Sequence, residues 1–170
     1  FVMRVADQIF ATPSDQLSTG VAWVGIICYT FQIFFDFSGY SDMAIGIGRL
    51  FGLSLPENFR QPYLATSVTD FWRRWHMTLS SWFRDYLYIP LGGNRHSTTR
   101  TLGNLLIVFA LCGIWHGAAY TFLAWGLFHG FLLLIERIMK SNWQITPRGL
   151  PGRITTMVLV IAGWVIFRSD

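Results

Sequence analysis

The sequence predicts a multi-spanning, all-α membrane protein, and three observations carry that prediction. Of its 170 residues 52% are hydrophobic and 17% aromatic. Only 13% are charged, against about 25% in a soluble domain. Residues 102–135 form one apolar run, interrupted only near its middle by Trp115-His116-Gly117. Its two arms, residues 102–115 and 120–135, are each a little shorter than the roughly 20 residues of a full crossing. Further apolar runs lie on either side, at residues 21–35 and 157–167.

The formal charge of +4 comes almost entirely from scattered arginines, with Lys140 the sole lysine. That pattern suits membrane flanks and excludes a nucleic-acid footprint, which needs a concentrated basic face. Cys28 and Cys112 fall inside apolar segments with no paired spacing, so they read as small buried hydrophobes. The chain opens on Phe1 and stops just after an apolar run. The expectation is an internal piece, residues 1–170, of one larger membrane domain.

Residues 1–19 read as a membrane flank with Arg4 and Asp7 on a short amphipathic turn and a loop at Pro13-Ser14-Asp15. A buried helix over residues 21–35 runs into Asp36-Phe37-Ser38-Gly39-Tyr40-Ser41-Asp42. A glycine-spaced helix, 43–53, follows. So many polar side chains beside an apolar run are costly unless they face one another or water. Otherwise Asp36 marks the membrane exit. Gly39, Gly46, Gly48 and Gly52 allow close helix approach or a break.

After a polar connection over 56–62, a helix is expected from Ser67, with Ser67 or Thr69 as its N-cap and Asp70 in its first turn. Helical spacing sorts it into an aromatic stripe (Trp72, Trp75, Leu79, Trp82, Tyr86) and a polar one (Thr69, Arg73, His76, Ser80, Arg84). This is an embedded amphipathic helix at the interface. His76 reads equally as one more polar residue of a solvated face. Gly92-Gly93 has neither a preceding strand nor a Walker spacing, and is a turn rather than a phosphate cradle.

The basic loops at 84–100 and 137–153, the second including Pro147, Arg148 and Pro151, should both be cytoplasmic. The short-armed pair then enters from the cytoplasm, turns near His116 and returns. His116 is thereby kept at membrane depth, where an ionisable side chain usually lines a cavity and has a function.

Few residues here can do chemistry. Clustered metal ligands and a Gly-x-Ser-x-Gly elbow are absent. His116 and His129, thirteen apart, match the spacing of haem-ligating pairs in membrane cytochromes only if partner helices exist elsewhere. General-base catalysis is what remains. A low-dielectric site disfavours imidazolium, so a buried His116 stays neutral and can accept a proton from a substrate hydroxyl attacking an acyl donor. His76, Asp36, Asp42, Ser38 or Tyr40 are candidates for a second group that orients the base or stabilises an oxyanion. The alternative reading of His116 is a packed histidine bonded to a backbone carbonyl.

Several motifs, in order, resemble the membrane-bound O-acyltransferase (MBOAT) family. They are residues 36–46, Pro56-Glu57-Asn58-Phe59, Pro62-Tyr63, Phe71-Trp72-Arg73-Arg74-Trp75-His76, residues 88–95 and Trp115-His116-Gly117. The resemblance is strongest to the bacterial branch that modifies exported polymers such as alginate and teichoic acid, and it covers nearly the whole chain. It implies a helical bundle around a tunnel that admits an acyl donor from the cytoplasm and a hydroxyl acceptor from the other side. By the same resemblance His116 matches the catalytic histidine and His76 the second motif position. Asp36, Ser38, Tyr40, Asp42, Arg73 and Trp115 become tunnel-lining candidates.

The function expected is an O-acyltransferase of the bacterial inner membrane moving acetyl groups toward an alginate-like polysaccharide. No bound cofactor or metal is expected; acetyl-CoA or another acyl thioester is a co-substrate. Its partners would be the bilayer, the donor, the polysaccharide acceptor and an extracytoplasmic acetyltransferase. An intramembrane proton or solute transporter, or a non-catalytic scaffold for extracytoplasmic acetylation proteins, are the competing readings. The fragment alone is expected to be inactive.

Overall fold

The structure is a computed structural model that describes residues 1–143 and 149–169. Pro147 and Arg148 of the expected basic loop, and Asp170, lie outside the described residues. Every regular element among them is a helix, and four are long and apolar enough to cross a membrane: Thr19–Leu50, Thr98–His116, Tyr120–Trp143 and Gly149–Arg168. The chain divides into two compact units, Phe1–Glu57 and Asn58–Asp170.

In the first unit α1 (Val2–Phe10) packs on α2 (Thr19–Leu50). Ser18 caps α2 by accepting from the Val21 N–H at 3.4 Å. Gly25 lies beneath Ile9, whose Cγ2 stands 2.5 Å from where a Cβ would be. Phe10 and Tyr29 tilt together at 5.6 Å. Instead of two helices meeting at Asp36, α2 is one helix of 32 residues. The polar tract contains no proline, so every N–H through it can stay in the helical ladder. Gly39 and Gly46 have nothing within 4 Å of a virtual Cβ among the described residues, and neither breaks the helix nor serves a close contact. The helix stops at Leu50, and Gly52 turns the chain at φ +72°. At about 1.5 Å per residue α2 is roughly 48 Å long. That exceeds the ~30 Å hydrocarbon layer, so it must tilt or emerge.

The second unit begins with α3 (Val68–Trp72) and α4 (Met77–Phe83), continued by a π turn over Arg84–Tyr88. Ser67 is the N-cap of α3, accepting from Asp70 N–H at 3.0 Å. The uninterrupted helix expected from Ser67 to Tyr86 is broken at Arg73–His76. In a continuous helix the carbonyls of Arg73 and Arg74 would receive the N–H groups of Met77 and Thr78. Here Arg60 N–H takes the Arg74 carbonyl at 2.9 Å, and Met77 N–H goes to the Asn58 carbonyl at 2.9 Å. Thr78 N–H goes to Asn58 Oδ1 at 3.2 Å. His76 is left in the left-handed region, φ 45° and ψ 53°. The break splits the aromatic stripe: Trp72 and Trp75 are buried, while Trp82 and Tyr86 are exposed.

Helices α5 (Thr98–His116) and α6 (Tyr120–Trp143) form the hairpin expected around His116. Polar turns at its outer end, that of α5 capped by Ser97, give arms of 19 and 24 residues. The two backbones touch at Gly113 and Gly126, and Gly130 packs closely on Phe109 and Leu106. Helix α7 (Gly149–Arg168) closes the unit, with Pro151 in its first turn, where no N–H is missed. Its Trp164 joins Phe71, Trp72, Trp75 and Trp125 in an aromatic core, Trp75 and Trp164 lying 4.9 Å apart. Gly92 and Gly93 form a positive-φ turn, and the buried Asn104 donates to the Leu91 and Gly93 carbonyls at 3.2 Å each.

Candidate active site

His116 is the last residue of α5, half-buried at the apex of the hairpin. Gly117 follows because a Cβ there would run into the Phe122 ring. Aromatic edges set the imidazole: Trp115 and Trp125 at 5.0 Å each, and Phe167 of α7 at 5.4 Å. Rings rather than hydrogen bonds hold it among the described residues.

His76 is the imidazole that is hydrogen-bonded. Its Nδ1 lies 3.2 Å from Asn58 Oδ1, and its ring faces Trp115 at 6.3 Å and 65°. Trp115 therefore touches both histidines, the geometry of edge-to-face pairs. His76 lies outside the four spanning helices. Burial first, and the neighbouring His116 second, lower its pKa from 6.5 to about 4. It is neutral at pH 7 and not a solvated surface cation.

A cavity of about 520 Å³ opens between α3–α4 and the α5–α6 hairpin. Its walls are apolar along Leu105, Val108, Phe109 and Cys112 of α5, and its rim carries Arg73, Arg84, Arg137 and Lys140. The size suits a small-molecule site. None of His76, Trp115 and His116 is among the lining residues; Arg73, three residues before His76, and Cys112, one turn before His116, are. Glu136 spans the rim: its carboxylate accepts from the N–H groups of Val68 and Thr69 and from the Thr69 hydroxyl at 2.7 Å. It fastens the start of α3 to α6.

Of the predicted site residues, then, His76, His116 and Trp115 come together, and Arg73 lines the cavity. Asp36, Ser38, Tyr40 and Asp42 belong to the first unit, where Asp36, Tyr40 and Asp42 are exposed on α2 and Ser38 is half-buried. His129 is fully buried against Trp72 and Trp125, at 5.1 and 5.3 Å, and is a core residue here. Asn58 and Glu136 escape sequence reasoning, since each acts on a segment far along the chain. The approach at Gly126 had a signal, Gly126 and Gly130 being small residues four apart in an apolar helix.

Comparisons with known proteins bear on this arrangement. The chain is 52% identical over 168 residues to a probable alginate O-acetylase of Pseudomonas aeruginosa, covering 98% of this chain and 32% of that protein. It is 46% identical over 159 residues to a peptidoglycan O-acetyltransferase of Helicobacter pylori, covering 92% and 30%. It is 35% identical over 142 residues to a teichoic acid D-alanyltransferase of Bacillus subtilis, covering 78% and 35%. The chain thus spans about a third of the length of the curated relatives it matches. The sequence model of one family, MBOAT, matches residues 12–168, a stretch that holds His76, Trp115, His116 and the cavity walls. On that match this chain belongs to the membrane-bound O-acyltransferase family.

Proposed function

We propose that the whole protein is an O-acyltransferase that carries acetyl groups from a cytosolic thioester toward an exported polysaccharide of the alginate kind. The observation that carries this reading is the convergence of two imidazoles on Trp115, one at a hairpin apex and one in a strained turn. His116 serves as general base. The acceptor oxygen bonds to the acyl carbon as its proton passes to the imidazole, the carbon–sulfur bond breaks, and the departing sulfur takes the proton away. A positioned base of this type contributes about 10²–10⁴-fold. His76 assists as the second polar group.

The cavity supports the donor side of this reading. Arg73, Arg137 and Lys140 among its lining suit the phosphates of a coenzyme A thioester, and an apolar wall along α5 suits its acyl arm. The basic flanks support a cytoplasmic position for that rim, in a bacterial inner membrane. An extracytoplasmic acetyltransferase would receive the group and pass it to the polymer. The deciding experiment measures acetyl content of the exported polymer in cells whose full-length protein carries His116→Ala, with membrane insertion confirmed. Acetylation should fall by about 100-fold or more; unchanged acetylation would defeat the assignment.

A further inference from the structure

The side chain of Asn58 decides what His76 can do. A backbone N–H only donates, so the Asn58 atom 3.2 Å from Thr78 N is its carboxamide oxygen rather than its nitrogen. The Thr78 hydroxyl donates to the same oxygen at 2.9 Å. His76 Nδ1 lies 3.2 Å from that oxygen too, and two acceptors do not bond. Nδ1 therefore carries the hydrogen, and in a neutral ring the lone pair is on Nε2. The backbone is held with equal care. A left-handed residue with a side chain costs about 1–3 kcal/mol and persists where its surroundings impose it. Here the imposition comes from Asn58 and Arg60, whose backbones bond Met77 and Arg74 on either side of His76.

Resting on the acyl-transfer reading, we propose that Asn58 is a positioning residue for His76. Its carboxamide oxygen locks the Nδ1–H tautomer, so that Nε2 is confined to the role of hydrogen-bond acceptor. A neutral His76 held this way has no N–H to offer a developing oxyanion. The single proton of the acceptor hydroxyl goes to His116, and the oxyanion is served by donors other than His76.

The test uses the full-length protein in membranes. In ¹⁵N-histidine-labelled protein, with the His76 signals identified by their loss in His76→Gln, Nδ1 should be of the protonated type and Nε2 of the unprotonated type. Asn58→Leu should lower kcat about tenfold or more while leaving the donor KM within about twofold, as loss of an interaction made only in the transition state requires. Asn58→Asp keeps an oxygen in place and should restore most of kcat. It should also move the acidic limb of the pH–rate profile upward, because a carboxylate favours the imidazolium. An Nε2–H tautomer in the wild type, or wild-type kcat in Asn58→Leu, would overturn the proposal. Should Asn58→Leu fail to insert, the wild-type spectrum still decides. Intact acetylation in His116→Ala overturns the acyl-transfer reading and leaves the tautomer standing, so the two failures are distinguishable.

Discussion

Gly113 and Gly126 bring α5 and α6 into backbone contact: a Cβ on Gly126 would stand 3.1 Å from the Gly113 Cα and collide with the Phe109 carbonyl. The hairpin that ends in His116 owes its geometry to this crossing. Gly126→Ala should therefore cost about 1–3 kcal/mol, the range for overpacking, and nearer its upper end because backbone cannot rotate away. Gly103→Ala, with nothing within 4 Å of its Cβ, should hold or gain up to about 1 kcal/mol from helix propensity. Thermal unfolding of the two variants in detergent checks the difference; equal midpoints would mean the crossing is loose.

Glu136 should matter through the segment it holds rather than through its charge. Its carboxylate satisfies the first N–H groups of α3, which Ser67 alone does not cover. Glu136→Ala leaves those donors without a partner and should destabilise by about 1–3 kcal/mol. Glu136→Gln keeps one acceptor oxygen and should recover roughly half of the loss. Unfolding midpoints of the pair test it, and an undisturbed Glu136→Ala would count against the clasp.

How much of this was legible beforehand follows from the range of each interaction. The hairpin about His116 can be read because an apolar run and its polar interruption are local features. The Ser67 cap can be read for the same reason. The break before α4 cannot: Asn58 reaches His76 across 18 residues, and periodicity over residues 67–86 carries no trace of it. Glu136, 67 residues from Thr69, is equally silent. Continuity of α2 through Asp36 and Asp42 is a different failure. Polar residues within a long helix and polar residues at a break look alike in composition.

The cavity rim makes a kinetic prediction. If Arg137 and Lys140 hold the donor's phosphates in ground state and transition state alike, their loss removes uniform binding. The double variant Arg137→Gln/Lys140→Gln should then raise the donor KM about tenfold, equivalent to about 1.4 kcal/mol, with kcat nearly unchanged. The effect should shrink as salt is added. A fall in kcat with KM constant would place the donor elsewhere.

The His76 environment predicts a pH signature in stability. Its ring is harder to protonate in the folded chain, at about 4, than at the ordinary 6.5 of an unfolded one. Above pH 6.5 both states are neutral at this position and the histidine has no effect. As pH falls from 6.5 toward 4 the unfolded chain binds a proton that the folded one refuses, so stability declines; below 4 both are protonated and the decline stops. His76→Asn has no titrating ring and should lose this component. The comparison is of slopes, not midpoints: the wild-type unfolding temperature should fall more steeply between pH 6.5 and 4 than the variant's. Parallel curves would show that water reaches the ring freely, and that its burial beside Trp115 and His116 does not shape its chemistry.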